Sequence, residues 1–386
     1  MKKIAIVINN LMMGGIQKAL INLLNEIEDF YDIDLILFSH QGDLIEKVPP
    51  KINILDENKY LKYLGVEQSK ASIYGNKFYY FRFLLMILNR IFGSKSIRKR
   101  LINKARVKGN YDVAISFTQN YGYKVLSSGC NEFVLNNINS NMKISFIHGD
   151  FDRLDCNNKY DNHLYSKFDK IACVSESTRE IFLKTNSLLR EKTFTVKNCT
   201  NYNEIINLAN EEDIKIDNGF VNIITVARIS QEKGLVRAFY IIKRLISENY
   251  RIKWYIIGDG PQKGIINNLI IESHLSENII LVGNQLNPYK YMRKMSLFLL
   301  PSEHEAAPMV FNECKALNLP ILTTNTSSAM ELVENEKIGW VCDNDDLSIY
   351  KNLKRIIDKG LHLGLVEFYD VNNALELEQF KTLIGD

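Results

Sequence analysis

Short apolar runs rich in β-branched residues recur along the whole chain, and a turn and a stretch of helical periodicity follow several of them. In the first half they are KKIAIVIN, DIDLILF, YDVAISF, KISFIHG, KIACVS and TFTVKN. In the second they are VNIITVARI, IKWYIIGDG, NIILVG, LFLLPS, LPILTTN and GWVCD. Near-continuous apolar runs of this length read as central strands of parallel sheets covered on both faces. Intervening segments such as Gln17–Ile27 and Lys233–Glu248 place apolar residues at helical spacing. The alternation predicts an α/β fold with right-handed crossovers. At 386 residues the chain is too long for one compact core. Two doubly wound, Rossmann-like domains are therefore expected, facing a central cleft, with ligands at the carboxyl ends of the strands. The pattern pauses at 202–220, YNEIINLANEEDIKIDNGF, an acidic and Asn-rich stretch that reads as the linker. The expected domains are 1–203 and 204–370, with 371–386 as a C-terminal helix packing back on the first.

The six cysteines are scattered, with no C-x-x-C pair and no His at zinc spacing. They read as small core residues in a reducing, cytoplasmic compartment. No run is long enough to span a bilayer, and Ile4–Ile8 is too short for a signal peptide. Residues 1–200 carry 29 Lys+Arg against 20 Asp+Glu, a balance of +9, and the remainder is at −6. A basic first half points to an anionic partner there, unless the imbalance is plain scatter.

The stretch from Lys77 to Lys108 is the most basic. It holds Arg82, Arg90, Lys95, Arg98, Lys99, Arg100, Lys104 and Arg106 as well, no acid, and the run FYYFRFLLMILNRIF. That composition suits a helix lying on an anionic membrane surface, with the protein peripheral on the inner face of the plasma membrane. The competing reading is a buried helix followed by a solvated basic one. No nucleic-acid module is recognisable, and nucleic acid is not an expected partner.

Several turns carry candidate chemistry. Gly14-Gly15 follows the first strand and precedes a helix, either as a simple tight turn or as a place where backbone N–H groups approach a phosphate. His148 ends the strand KISFIHGD, where catalytic residues of α/β sheets tend to sit, although a lone His is often structural. Arg228 and Lys233 follow the strand VNIITVARI. Two cations converging on one crevice suit a diphosphate, Arg as a fork of donors and Lys as a mobile point charge, while taken singly each reads as a solvated surface charge. Gly258-Asp259-Gly260 before Pro261 forms an obligatory turn at a strand end, a natural wall for a bound base or ribose.

In LFLLPSEHEAAPMVFNECKALNLP, Pro308 is placed for the first position of a helix whose apolar stripe is Val310, Phe311, Cys314 and Leu317. The free N–H groups near Met309 and Val310 make an anion site. Glu305 lies just before it, and Glu313 lies on the flank of the stripe. Carboxylates on both sides of a bound phosphate suit sugar hydroxyls.

Glu305-x7-Glu313 with Pro308 between, followed by NLPILTTN, resembles the E-x7-E motif of GT-B fold retaining glycosyltransferases, family 4 in particular. VARISQEKG, IIGDGP, LVGNQLNPYKYM and LFLLPSEHE follow in the order that family shows, as do GGIQKALINLL, FIHGDF and FDKIACVSESTRE in the first half. The resemblance implies transfer of a sugar from a nucleotide-diphosphate sugar with retained anomeric configuration, no cofactor and no metal, with 1–203 as the acceptor-binding domain and 204–370 as the nucleotide-sugar-binding domain. It also implies a role for each matching position. Arg228 and Lys233 would hold the donor diphosphate, and Glu313 the ribose hydroxyls. Glu305 and His148 would lie near the donor sugar. The backbone of Ala306, Ala307, Pro308, Met309 and Val310 would contact sugar and phosphate, and Gly15 would approach the phosphate. Ala306-Ala307 departs from the family's Gly and bulky apolar residue after the first Glu, and Leu317-Asn318 from its small-Gly pair.

The function expected is glycosyl transfer to an acceptor such as a lipid-linked glycan in cell-surface polysaccharide synthesis. The alternative is a non-catalytic glycosyltransferase-like subunit acting as a binding partner. Retention of Arg228, Lys233, Glu305 and Glu313 together argues against that alternative.

Overall fold

The computed structural model describes residues 1–122, 125–151, 156–360 and 371–386. The chain divides into two compact units, 1–199 with 373–386, and 200–372. Each apolar run named above contains a strand. The first unit holds β1 (Lys3–Ile8), β2 (Asp32–Leu37), β3 (Asn53–Ile54), β4 (Asn110–Ser116), β5 (Asn139–Ile147), β6 (Lys170–Cys173) and β7 (Thr193–Thr195). They form one parallel sheet in the order β3-β2-β1-β4-β5-β6-β7. The two-residue edge strand β3 gives no apolar run and is invisible in the sequence.

The second unit holds β8 (Val221–Val226), β9 (Ile252–Ile257), β10 (Ile279–Gly283), β11 (Leu297–Leu300), β12 (Ile321–Thr324) and β13 (Gly339–Cys342). They are parallel in the order β10-β9-β8-β11-β12-β13. In each unit the strand order reverses once, between β1 and β4 in the first and between β8 and β11 in the second. Loops at those two points diverge to opposite faces and leave a crevice at the carboxyl edge of the sheet. Fully buried strand residues such as Ile4–Ile8 and Leu297–Leu300 are covered on both faces, as their continuous apolar character requires.

The stretch expected to be a linker begins with a helix. Tyr202–Asn210 is a helix capped by Asn201, whose side chain accepts from the Glu204 N–H. Ile205 and Ala209, four residues apart, bury one face in the core of the second unit. Its acidic residues mask that amphipathic spacing. The expected end of the second domain, at 370, lies outside the described residues. Helix Ala374–Ile384 belongs to the first unit: Lys2 Nζ donates to the Gly385 carbonyl at 2.6 Å and Phe380 is fully buried. All six cysteines are free and buried. No described helix is long and apolar enough to cross a membrane.

The basic run from Lys77 to Lys108 is two helices, Asn76–Phe92 and Ser94–Ile102. It is neither uniformly solvated nor uniformly apolar. Arg82 and Arg98 point inward at 2% and 1% exposure, while Tyr80, Phe83, Leu84, Ile87, Ile91 and Phe92 face out. This is the reverse of what residue type alone predicts.

Candidate active site

In the second unit the β8–helix connection is tied down by glycine geometry. Gly234 has φ +67°, and a Cβ there would lie 2.0 Å from the Pro301 carbonyl oxygen. The absence of a side chain lets the turn 231–234 pack on the end of β11. Arg237 Nε donates to the same Pro301 oxygen at 2.9 Å, and the Glu303 N–H donates to the Glu232 carbonyl at 2.8 Å. A second strap joins β8 to β9: the Ile229 N–H donates to the Asp259 carbonyl at 2.8 Å. Gly258 sits so close that a Cβ would be 1.9 Å from the Ala227 oxygen. Three loops from adjacent strands are thus held together at the point where strand order reverses.

This edge collects the second-unit residues singled out by sequence. Lys233 Nζ donates to Glu305 Oε1 at 2.5 Å, and Ser302 Oγ donates to the same oxygen at 2.7 Å. The Glu305 side chain is 10% exposed and that of Lys233 21%. The pair is therefore partly withdrawn from water, where charge-assisted bonds strengthen. Arg228 is exposed and makes no ion pair among the described residues. It is a cation near that edge with its donors uncommitted. Asp259 is also exposed. Its carboxylate accepts from the Gly260 N–H at 2.7 Å and pairs with Lys263 at 3.1 Å, and both hold its pKa below the usual range.

Pro308 is the N-cap, at φ −69° and ψ 119°, and the helix is Met309–Ala316. The expectation that Pro308 occupies the first helical position is corrected by one residue. Its extended ψ excludes it from the helix but leaves the N–H groups of the first turn open at the same place. Ala306 and Ala307 are partly exposed and avoid the left-handed region. Replacement of glycine there carries no backbone strain. Asn318, by contrast, has φ +50°, a conformation Asn tolerates. Glu313 lies within the helix at 6% exposure, with Tyr289 Oη donating to its Oε1 at 3.3 Å. It is more buried than a stripe-flanking position predicts, and Tyr289 is a partner the sequence does not advertise.

In the first unit, Gly14 caps helix Gly15–Ile27 at φ −174°, an extended conformation open to any residue. The Cβ it lacks would meet only the flexible end of Gln17. His148 follows β5 and packs against Phe117 and Phe146, tilted on the first at 4.7 Å and stacked on the second at 5.8 Å between ring centres. Burial pushes its pKa down to about 3, against one hydrogen bond with the Phe117 backbone. It is therefore a neutral imidazole, and its buried Nε2 has no partner among the described residues. Gln119, which sequence reasoning missed, holds this loop: its Oε1 accepts from the His148 and Gly149 N–H groups at 2.7 and 2.8 Å. Arg228, Lys233, Gly258, Asp259, Glu305, Ala306 to Val310 and Glu313 thus belong to one unit. Gly14, Gly15 and His148 sit at the corresponding edge of the other.

The described residues contain no group of three or more His, Cys, Asp or Glu able to hold a metal. Two parallel-sheet, Rossmann-like units, each with its switch point at the carboxyl edge, define the GT-B architecture. Residues 208–363, within the second unit, match the family described as Glycosyl transferases group 1. The chain is 30% identical over 200 residues to the N-acetylgalactosamine-N,N'-diacetylbacillosaminyl-diphospho-undecaprenol 4-alpha-N-acetylgalactosaminyltransferase of Campylobacter jejuni, covering 50% of this chain and 52% of that protein. It is 25% identical over 198 residues to the capsular polysaccharide biosynthesis glycosyltransferase CapM of Staphylococcus aureus, covering 49% and 52%. The chain spans about half the length of the curated relatives it matches. Among solved structures, a Staphylococcus aureus TarM mutant in complex with Fondaparinux, alpha-GlcNAc-glycerol and UDP superposes with TM-score 0.69 at 14% identity, covering all of both chains.

Proposed function

We propose that this protein is a retaining glycosyltransferase that moves a sugar from a nucleotide-diphosphate sugar to a glycan acceptor, without a metal ion. The observation that carries the reading is the Lys233–Glu305 pair at the switch point of the second sheet, beside the start of helix Met309–Ala316 and with Arg228 uncommitted close by. An ammonium has three donors, and Glu305 uses one. The remainder, the Arg228 fork and the N–H groups of the helix end supply fixed positive charge for a diphosphate. A leaving diphosphate gains negative charge as the glycosidic bond breaks, so preorganised donors there lower the barrier. Glu305 orients Lys233 and offers its second oxygen to a sugar hydroxyl, and Glu313 takes the ribose hydroxyls. UDP in the TarM complex supports a nucleotide-sugar donor, and the names of the two relatives support a role in building polysaccharide.

The acceptor we propose is a lipid-linked glycan presented at an anionic membrane surface. Support comes from the outward apolar face of helix Asn76–Phe92 beside the exposed cations Lys77, Arg90, Lys95, Lys99 and Arg100.

The test is turnover of a panel of nucleotide sugars by the purified protein in EDTA, for the wild type, Lys233→Ala and Glu305→Gln. Turnover of one donor that Lys233→Ala lowers by roughly 10²-fold or more is expected. Dependence on added Mn²⁺, or full activity in both variants, would overturn the mechanism.

A further inference from the structure

The first unit contains a cavity of about 670 Å³ that none of the proposed donor contacts uses. It opens at the carboxyl ends of β1 and β4, where the strand order reverses, with Asn9 and Asn10 from one side and Thr118 from the other. Helix Asn76–Phe92 forms a further wall, contributing Arg82, Met86, Asn89 and Arg90 at spacings of four, three and one, a single stripe of that helix.

Arg82 is the unusual member. It is 2% exposed and makes no ion pair among the described residues. Nη2 donates to Ser127 Oγ at 2.8 Å, and Nη1 donates to Gln68 Oε1 at 3.0 Å and faces Met86 Sδ at 3.3 Å. Nε is buried with no acceptor among the described residues. Burial lowers its pKa to about 10, opposed only by the field of Glu67, which is exposed at the rim. Buried cations are ordinarily paired with an anion, because neutral acceptors do not repay the lost hydration. Gln68 and Ser127 line the cavity themselves, so the guanidinium is held in place by neutral groups, and the field of Glu67 offsets only part of the cost of its burial. Arg90, on the same stripe, adds a second guanidinium that is exposed. Among the described residues the lining therefore carries two cations, Arg82 and Arg90, and one acid, Glu67. Met12, Met13 and Leu126 supply apolar wall, and Asn10, Gln17 and Thr118 supply groups for hydroxyls.

We propose that this cavity is the acceptor site, and that Arg82, with Arg90, grips a phosphate or diphosphate group of the acceptor. The inference rests on the glycosyltransferase reading and names the acceptor's chemistry: a sugar carried on a phosphate, not a neutral glycan. A planar fork with open donors suits phosphate oxygens. The same phosphate chemistry is offered by a lipid-linked sugar and by a soluble one.

The test is calorimetric binding to the full chain carrying Lys233→Ala, which silences the donor cradle. The probes are farnesyl diphosphate, inorganic pyrophosphate and farnesol. Diphosphate binding that drops tenfold or more in Arg82→Gln, and recovers in part in Arg82→Lys, is expected. Farnesyl diphosphate binding tenfold tighter than pyrophosphate assigns the site to a lipid headgroup, and equal affinities assign it to a soluble phosphate. Farnesol binding as well as farnesyl diphosphate, or no diphosphate binding at all, overturns the proposal. So does full affinity in a folded Arg82→Gln protein. Should Arg82→Gln fail to fold, Arg90→Gln decides: weakening of about threefold or more supports the site, and unchanged affinity overturns it. The donor reading fails separately, through an unaltered nucleotide-sugar affinity in Lys233→Ala.

Discussion

Lys233 and Glu305 lie 72 positions apart in sequence, and the role proposed for them rests on the bond between them. Removing the cation by Lys233→Ala leaves a partly buried carboxylate facing the leaving group. We expect kcat/KM to fall by roughly 10²–10³, the size seen when one charge-stabilising donor is lost, with circular dichroism unchanged. Glu305→Gln keeps the shape but loses the charge that orients Lys233, and a loss of about 10-fold or more is expected in the same assay. His148 makes a prediction about pH. Its folded pKa, about 3, lies below the ordinary 6.5. The unfolded chain therefore binds the extra proton first, so its contribution to stability is complete above pH 6.5 and is lost as pH falls toward 3. Melting temperature of His148→Gln should accordingly decline less steeply between pH 7 and 4 than that of the wild type. Parallel curves would show that His148 is not the buried neutral base described.

At the scale of elements, the second-unit site depends on turns that fit only because a side chain is missing. Gly234→Ala combines a left-handed φ with a Cβ 2.0 Å from a carbonyl oxygen. It should cost about 2–4 kcal/mol, measurable as a lowered denaturation midpoint, and nucleotide-sugar affinity should fall with it. Helix Asn76–Phe92 has a different division of labour. Its inner stripe carries Arg82 and its outer face carries Phe83, Ile87 and Ile91, at 45%, 42% and 66% exposure. Exposed aromatic and aliphatic groups beside cations gain by entering an anionic interface. Flotation with phosphatidylglycerol vesicles should therefore recover the wild type and lose Phe83→Ser/Ile87→Ser. Equal recovery with neutral vesicles would remove the electrostatic part of the argument.

For the whole molecule, the positive charge that serves the proposed donor comes from side chains and a helix end. Transfer should persist in EDTA and gain nothing from added Mg²⁺ or Mn²⁺. The nucleoside diphosphate of the proposed donor should raise the melting temperature in proportion to the logarithm of its concentration, as ligand linkage requires, and Lys233→Ala should abolish that rise. The excess of basic residues in the first half, +9, is borne by the unit that holds the Arg82 cavity. Its charges divide into buried and exposed sets that net charge does not distinguish.

The alternation of apolar runs with helical periods determined two parallel α/β units and the place of nearly every strand, because a strand buried on both faces must be apolar at every position. Motif spacing likewise located Arg228, Lys233, Glu305 and the helix end near Pro308, since turn glycines and a helix-starting proline obey local rules. Tertiary structure alone decided that Lys233 bonds Glu305, that Tyr289 meets Glu313, that 202–210 is a packed helix, and that Arg82 turns inward while Phe83 turns out. Those outcomes depend on which elements meet across the sheet, and residue type carries no information about a neighbour tens of positions away.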